Sequence, residues 1–422
     1  MPPRNAKLRD APPHVWQFKR RFRRNAFGWR SQPAIVRIRE AVREIRGVAR
    51  RDRSLAAEGA VAFLERVSGA LEAVDSSSGA IGTCVNSAVE QLAGIVASAE
   101  VDPVVRSGWL ERLWNAYLDD QMPYIESLAD HWGALCLSRE LAGEWTDRLI
   151  DDLRASMRAP SRSGGYYRGT TVVLSSLLQA QRYDELLGLL QLRPATLWFE
   201  RKFGFAALVA QGRRAEALRY AEASHDPHSR DASIDRACED LLLASGLAED
   251  AYRRYGLAAG RGYGTYLARF RDLAKRYPHK AAADLLADLV EASPGDEGSW
   301  FATAKAAGLY DEAISLARRS PSDPRTLARA ARQFADENPR FAFEASLTAL
   351  HWISLGHGYE ITIADIREAF DGGLRAARLL DAISEFRDRV RAMALPARAG
   401  IGKLLETELA RIERNGFIGP AS

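Results

Sequence analysis

A turn signal recurs at a nearly constant interval through the C-terminal part of this 422-residue chain. Each copy ends one short helical segment and begins the next, and consecutive copies lie 31, 34, 32, 30, 31 and 33 residues apart. The turns are centred on Gln181, Gly212, Gly246, Pro278, Gly308, Pro339 and Gly372. A steady interval of this length is typical of stacked helix pairs, in which each pair buries its apolar face against its neighbours. The sequence therefore predicts an all-α fold whose helical hairpins form a right-handed α-solenoid, with a terminal capping helix near 397–414.

Residues 308–314 carry the clearest copy of this turn, with the sequence Gly-Leu-Tyr-Asp-Glu-Ala-Ile. Glycine can adopt the left-handed conformation that ends a helix, the acidic pair suits the positive N-terminus of the next helix, and alanine lets two helices approach closely. Weaker copies begin at Gln181, Gly212 and Gly246. These segments resemble the central turn of tetratricopeptide-like repeats, and the resemblance covers about residues 166–392. It implies a curved stack of helices with a concave groove that holds a peptide, a helix or a partner domain.

The likeness to that family is incomplete in two respects. The first helix of each pair lacks the family's usual Trp and Leu-Gly positions, and prolines replace the turn glycine at positions 278 and 339. The N-terminal half resembles bacterial all-helical proteins with a Val-Asp-Ser-Ser turn, which here is residues 74–77. That second resemblance implies no function.

Four regions follow from composition and periodicity. They are a basic N-terminal region at 1–53, a helical region at 54–160, a small-residue linker or loop at 161–169 and the helical repeats at 170–422. Within the second region, apolar spacing and turn residues predict helices at 54–74, 80–99, 101–119, 121–139 and 141–158. Tryptophans at this spacing on amphipathic helices favour a core role, which we predict for Trp109, Trp114, Trp132 and Trp145.

Charge is unevenly distributed along the chain. Residues 1–53 contain 16 Lys and Arg against 4 Asp and Glu, whereas the remaining residues contain 43 against 51. After Ser31 and Pro33, which suit the start of a helix, apolar residues at 35, 38, 42 and 45 share one helical face. Another face of the same helix carries a row of cations, at Arg39, Arg43, Arg46 and Arg50. The sequence thus predicts a basic amphipathic helix.

Before this helix, aromatic and cationic residues alternate, and three interpretations remain open. The cations could bind a polyanion such as nucleic acid through phosphate contacts while the rings stack on bases. The rings could instead rest against an anionic membrane surface, or dock on the first helices while the arginines stay in solvent or pair with the acidic body. The candidate polyanion-binding residues are Lys19, Arg20, Arg21, Arg23, Arg24, Arg30, Trp16, Phe18, Phe22 and Trp29, with Phe27 as a further stacking ring.

The chain carries no recognisable motif for catalysis, for cofactor binding or for metal binding. Three cysteines far apart favour a reducing, cytoplasmic location. The most apolar stretch, 80–99, contains Asn86, Glu90 and Gln91, so we expect a buried helix and no integral membrane association. The favoured function is a non-catalytic adaptor or scaffold that binds a protein partner in the groove of the repeats. The alternative is a nucleic-acid-associated protein that binds through residues 16–53.

Overall fold

The computed structural model describes residues 14–158, 167–192, 197–225, 231–260, 264–395 and 400–415. Helices joined by short turns make up these ranges, and no β-strand occurs within them. The all-α prediction is therefore confirmed. The chain divides into two compact units, residues 1–226 and 227–422, and this division falls inside the predicted repeat region. Of the predicted connection at 161–169, only the last three positions belong to the described residues.

The first unit consists of helices that follow one another with few long connections. Its α-helices are α1 (Phe18–Arg21), α2 (Ser31–Ala49), α3 (Arg53–Ala70), α4 (Ala80–Ala97), α5 (Pro103–Asp119), α6 (Trp132–Cys136), α7 (Arg139–Arg158), α8 (Thr170–Gln179), α9 (Tyr183–Gln191), α10 (Trp198–Ala210) and α11 (Arg214–Glu222). A 3-10 helix, Glu126–His131, precedes α6.

Helix α3 lies at the centre of the N-terminal helices, because it packs against α2, α4 and α5. It begins after Asp52, whose carboxylate accepts a hydrogen bond from the Leu55 amide at 2.8 Å and so caps the helix. Every residue from 56 to 64 except Glu58 is buried. The many alanines of α3 let its neighbours approach closely on several sides, which fixes α2 and α4 beside each other.

Arginine side chains of α5 tie these helices together. The buried guanidinium of Arg106 donates to the carbonyl oxygens of Val96, in the last turn of α4, of Ala99, just after that helix, and of Leu135 in α6. Burial lowers the pKa of Arg106. Because the last carbonyls of a helix lack partners within it, these bonds satisfy polar groups that would otherwise be buried without one.

The predicted helix at 121–139 is wrong in its first half. Residues 121–125 form a turn, followed by the 3-10 helix and then by the short α6. The buried carboxylate of Asp120 accepts hydrogen bonds from the Ile125 amide at 2.9 Å and from the Ser68 hydroxyl. These bonds hold the chain in a turn, and Pro123 supplies no amide hydrogen for a regular helix.

The tryptophans of the second region lie in the core, as predicted. Trp109, Trp114, Trp132 and Trp145 are all buried. The rings of Trp114, Trp132 and Trp145 contact one another edge to face, with centroids between 5.0 and 5.9 Å apart. This geometry is the favoured one for neighbouring aromatic side chains.

The second unit also consists of helices joined by short connections. Its α-helices are α12 (Ala232–Ala244), α13 (Ala248–Ala251), α14 (Leu257–Ala259), α15 (Tyr266–Arg276), α16 (Ala282–Glu291), α17 (Phe301–Ala306), α18 (Tyr310–Arg319), α19 (Pro324–Phe334), α20 (Pro339–Ser354), α21 (Ile363–Leu379), α22 (Ile383–Ala394) and α23 (Ile401–Asn415). A π-helical segment, Tyr252–Gly256, joins α13 to α14, and a 3-10 helix, Glu297–Trp300, precedes α17.

Four of the predicted turns share one backbone conformation. Gln181, Gly212, Gly246 and Gly308 have φ values of 59°, 76°, 75° and 76°. In each case the next residue donates its amide to a carbonyl five positions earlier, as Leu309 does to Ala304 at 3.0 Å. This bond is the signature of a Schellman helix ending, in which a left-handed residue reverses the chain.

The two proline positions behave differently from the glycine turns. Pro278 lies in the connection between α15 and α16. Pro339 is the first residue of α20, behind Asn338, whose side chain accepts from the Phe341 amide at 3.2 Å. Proline suits this position because the first amide of a helix has no partner within it.

The prediction of a turn at Gly372 is wrong. Gly372 lies in the middle of α21, which crosses α19 and α20 there. A Cβ atom on Gly372 would lie 3.0 Å from the backbone nitrogen of Arg332, and one on Gly373 would overlap the hydroxyl of Ser346. The two glycines therefore allow close helix crossing. The turn itself occurs at Asp381, with φ of 52°, where the Ala382 amide donates to the Ala377 carbonyl.

Candidate functional site

Three aromatic rings of the N-terminal segment are built into the core of the first unit. Trp16, Phe18 and Phe22 are 3%, 2% and 2% exposed. The Phe18 and Phe22 rings pack edge-on against Phe63 of α3, with centroids 5.6 and 5.0 Å away. The Trp16 ring covers Gly59 of the same helix. Rings in these positions cannot stack on a nucleic-acid base, so the prediction of stacking is wrong for all three.

The backbone of this segment is also held in place. The amide of Gln17 donates to the carboxylate of Glu44 at 2.8 Å, and the amide of Asn25 donates to the carbonyl of Gly69 at 2.9 Å. Glu44 belongs to α2, and Gly69 belongs to α3. The segment before α2 is therefore docked on the helices, as one of the three sequence-based interpretations requires.

Trp29 differs from the other rings of the segment. It is 72% exposed, whereas Phe27 is half-buried against Phe22, with ring centroids 5.3 Å apart. The carbonyl of Trp29 accepts a hydrogen bond from the Asp75 amide at 2.9 Å. The indole therefore extends into solvent from a fixed backbone position, two residues before the start of α2.

All six candidate cations of the segment are exposed. Two of them are paired, since Arg21 contacts Glu40 at 2.8 Å and Arg24 contacts Glu72 at 2.9 Å. The other four form no ion pair with any residue that the structure describes; they are Lys19, Arg20, Arg23 and Arg30.

A further group of exposed arginines lies on α2, beside α4. A groove of about 650 Å³ runs between the two helices. One wall carries the row of cations predicted from the sequence, Arg39, Arg43, Arg46 and Arg50, and the other carries Thr83, Ser87 and Gln91. Its floor is apolar, formed by side chains such as Ile38, Val42 and Ala88. We call this feature the arginine groove.

Helical geometry aligns the two walls of the arginine groove. The arginines recur every three or four residues, and at about 1.5 Å per residue the row extends for about 16 Å. Thr83, Ser87 and Gln91 recur every four residues on α4. The Cys84 thiol lies near the carbonyl of Ile35, and Arg46 donates to Gln91 at 2.9 Å, so α2 and α4 run in the same direction. The charged row and the neutral polar row therefore face each other along their length.

Helix α4 has one face that is apolar throughout and buried. Another face carries the polar residues that form this wall of the groove. Ile81, Val85, Val89 and Leu92 are buried in the first unit. Among the described helices, Ala80–Ala97 is long and apolar enough, by length and composition alone, to cross a membrane. In the structure its apolar face packs against α2 and α3.

No carboxylate lines the arginine groove, and its four arginines form no ion pair within the described part of the chain. The nearby Glu40 is paired with Arg37 at 2.7 Å and with Arg21 at 2.8 Å. The Arg37 hydrogen bond, helped by the charges of Arg21 and Arg43, lowers the pKa of Glu40. Because this carboxylate lies outside the groove, the groove remains strongly positive.

Cys84 also lines the groove, and it is half-buried. Burial raises the pKa of its thiol, and the neighbouring Arg39 acts in the opposite direction. The thiol is therefore protonated at neutral pH and serves here as a small polar group in the α4 wall.

The sequence predicts one wall of this groove and not the other. The four arginines share one face of a helix inside the region 16–53 that was predicted to contact nucleic acid, but the individual candidates for polyanion binding all precede that helix. Thr83 and Ser87 were not predicted to line a site, and Gln91 was noted only as a polar residue of a helix expected to be buried. Their four-residue spacing within an otherwise apolar helix is the signal that could have revealed a polar wall.

In the second unit, the buried carboxylate of Glu239 links α12 to α15 and to the residue that follows it. Glu239 is fully buried, accepts from the Tyr277 hydroxyl at 2.8 Å and from Arg236 at 2.7 Å, and forms an ion pair with Arg276 at 3.1 Å. Burial and this carboxylate together raise the pKa of Tyr277. No cluster of three or more His, Cys, Asp or Glu side chains suited to a metal ion occurs among the described residues.

Comparison with protein-family models, with curated proteins and with solved structures finds no match to this chain.

Proposed function

We propose that this protein is a non-catalytic binding protein whose ligand is a polyanion held along the arginine groove. The observation that carries the proposal is the row of four arginines in a concave site without a facing carboxylate. Arginines that stabilise a fold are usually paired, as Arg21 and Arg24 are here. Positive charge left unpaired in a groove is instead available to a negatively charged ligand.

The arrangement of the arginines favours an extended polymer over a single small anion. A site for one phosphate or carboxylate brings several donors together at a point. Here the guanidinium groups are distributed along about 16 Å of helix. The opposite wall repeats neutral hydrogen-bonding groups at the same interval, at Thr83, Ser87 and Gln91. A chain with regularly repeated negative charges matches this pattern.

The charge of the whole chain supports the same proposal. Residues 1–53 are strongly basic, whereas the rest of the chain has a net negative charge. A polyanion would be repelled by most of the surface and attracted to the groove, where charges of one sign steer association.

Binding of fluorescently labelled inorganic polyphosphate, followed by anisotropy, tests the proposal. The Arg43→Ala/Arg46→Ala variant removes two charges from the groove. The matched control is Arg214→Ala/Arg219→Ala, which removes from α11 of the same unit two exposed arginines that form no ion pair with any residue the structure describes. We expect the groove variant to bind at least about tenfold more weakly and with a shallower salt dependence, because fewer counterions are released. Equal affinity for the two variants would refute the proposal.

For residues 170–422 we propose, as a second function, binding of a protein partner by relaxed tetratricopeptide-like repeats that stack as a right-handed solenoid. The recurring Schellman turns at Gly212, Gly246 and Gly308 support the repeat architecture. The apolar side chains of Leu355, Tyr359 and Ile363, exposed between α20 and the start of α21, favour a protein contact there. In nuclease-treated lysate, a partner captured by the wild type should be lost from Tyr359→Ala and retained by Arg43→Ala/Arg46→Ala.

A further inference from the structure

We infer that the polyanion of the arginine groove is a single-stranded nucleic acid, and that Trp29 stacks on one of its bases at the end of the groove. This inference rests on the proposed function, since it names the ligand of the same site. It is carried by the position and exposure of Trp29 relative to the arginine row.

The exposure of Trp29 distinguishes it from its neighbours. Within residues 16–29, all of which the structure describes, Trp16, Phe18 and Phe22 are buried, while the Trp29 indole is 72% exposed. An indole left in water forgoes the burial free energy that its neighbours gain. The hydrogen bond between the Trp29 carbonyl and the Asp75 amide nevertheless fixes its backbone. A rigidly placed, solvent-facing aromatic ring is the element that single-strand binders use to stack on bases.

Trp29 lies at the end of the groove where both of its walls begin. Helix α2 starts two residues after Trp29, and α4 starts five residues after Asp75, the hydrogen-bond partner of Trp29. From the start of α2, Arg39 is about 12 Å along the helix axis. Even at the rise of stacked DNA, about 3.4 Å per nucleotide, a strand covers that distance in about three or four nucleotides. One strand can therefore reach the indole and the arginines together.

The two contacts require an unpaired strand. In a duplex the base faces are stacked inside the helix, where an indole cannot reach them without disrupting the duplex. The arginine groove is moreover the space between two helices that pack on the same neighbour, α3. Such a groove can receive the backbone of one strand. Bases of any sequence offer an aromatic face, so we expect little sequence preference.

A membrane surface is less consistent with the structure than a single strand. Interfacial segments insert several apolar rings into the lipid boundary, with cations around them. Here three of the rings that would insert are buried in the protein. A single exposed indole beside a row of arginines corresponds to base stacking with phosphate contacts.

The test compares ligands with and without bases on the full-length protein. Anisotropy is measured for labelled 15-nucleotide oligothymidine, for a DNA hairpin of the same phosphate count and for labelled inorganic polyphosphate, with wild type, Trp29→Ala and Trp29→Phe. Stacking of the indole on one base contributes to the free energy of binding. We therefore expect Trp29→Ala to bind oligothymidine about 5- to 150-fold more weakly. Polyphosphate affinity should be unchanged by the substitution, the hairpin should bind less tightly than the single strand, and Trp29→Phe should retain most of the affinity.

The outcomes separate this inference from the proposed function. If polyphosphate binds through Arg43 and Arg46 but Trp29→Ala leaves oligothymidine affinity unchanged, the inference is wrong while the proposed function stands. If neither polymer binds, both are wrong. Trp29-dependent binding to vesicles of phosphatidylserine and phosphatidylcholine, without binding to oligothymidine, would assign the site to a membrane and overturn the inference. Because Trp29 is exposed, its variants should fold, which circular dichroism and the Tm will verify.

Discussion

The indole of Trp16 lies directly over the Cα atom of Gly59, so that a Cβ atom at position 59 would overlap its six-membered ring. Trp16 comes from the segment before α2, and Gly59 comes from the middle of α3. This contact joins the N-terminal segment to the core. A truncation that removes residues 1–33 would therefore remove core rings, and its loss of binding could not be attributed to lost surface charge.

Gly59→Ala should destabilise the first unit by about 1–3 kcal/mol, because the extra methyl group forces the buried Trp16 ring from its position. Gly94→Ala on α4 is the control. No atom lies within 4 Å of a Cβ added there, and alanine is the better helix former by about 0.5–1 kcal/mol. Urea unfolding of both variants checks the prediction. A Gly59→Ala protein as stable as the wild type would show that the Trp16 contact is not rigid.

Arg112 of α5 holds two carboxylates of α3 at once. It donates from Nε and Nη2, which form one edge of its guanidinium, to the two carboxylate oxygens of Glu65, each at 2.8 Å, and from Nη1 to Glu58 at 2.8 Å. These hydrogen bonds raise the pKa of Arg112. Lysine keeps the charge but cannot reproduce this planar arrangement, so Arg112→Lys should lower the free energy of unfolding by about 1–3 kcal/mol. Arg66→Lys, at an exposed position of α3, should change it by less than about 0.5 kcal/mol.

Cys84 offers a direct measure of ligand binding in the arginine groove. In the folded protein we expect a thiol reagent to label Cys84, because Cys136 and Cys238 are buried and burial raises the pKa of Cys136 to about 12. Because the pKa of Cys84 is itself raised, its labelling should accelerate as the pH increases above neutrality. Added polyphosphate should slow the labelling of Cys84 in proportion to the fraction of protein that is bound, and labelling should be slowest at saturation. Labelling at an unchanged rate in the saturated complex would place the ligand elsewhere. The Cys84→Ser variant is the control, because it should lose the labelling that is assigned to Cys84.

Asp365 gives the second unit a specific dependence on acid. Its carboxylate accepts from Arg325 at 2.9 Å and from the Thr362 amide at 2.8 Å in a capping box at the start of α21. The Arg325 hydrogen bond, followed by the bonds from Thr362, lowers the pKa of Asp365 from 3.8 to about 2. A carboxylate whose pKa is lower in the folded state stabilises it above the unfolded pKa, and that contribution is lost as the pH falls towards the folded value.

Asp365→Asn should therefore differ most from the wild type above about pH 4, and the difference should shrink between pH 4 and pH 2. Urea unfolding at pH 5, 3 and 2 measures it. Asp388→Asn, which changes an exposed carboxylate of α22, should show no comparable trend. A difference that stays constant down to pH 2 would contradict the assigned pKa.

Local patterns were predicted well from the sequence, and contacts between distant segments were not. The start of α2 follows from local capping signals, and its arginine face follows from helical periodicity; both are properties of one segment. That α4 lies opposite depends on how α3 packs against both helices. The burial of Phe18 and Phe22 had a local signal, since their four-residue spacing places one ring at the start of α1 and the other just after its end. The cations between these rings concealed the signal for burial. A segment whose rings are exposed and a segment whose rings are docked show the same alternation of rings and charges.

Gly372 is a second case in which contacts with distant segments could not be predicted from the sequence. A glycine at the expected interval suggested a turn, but Gly372 and Gly373 serve close crossing of α21 with α19 and α20. The left-handed residue that ends the helix is Asp381, whose residue type does not mark it as a helix-ending position. A glycine in a helical protein can meet either requirement, and only the neighbouring helix decides which one applies.

The arginine groove also bears on the stability of the free protein. Like charges three or four residues apart on a helix repel, each pair opposing helix formation by about 0.2–0.5 kcal/mol. Salt screens this repulsion within α2, just as it screens attraction to a polyanion. Raising the ionic strength should thus strengthen the empty helix while it loosens the complex. The same four side chains make folding and binding respond to salt with opposite sign, so that the ligand, when present, takes over the role that small anions have in its absence.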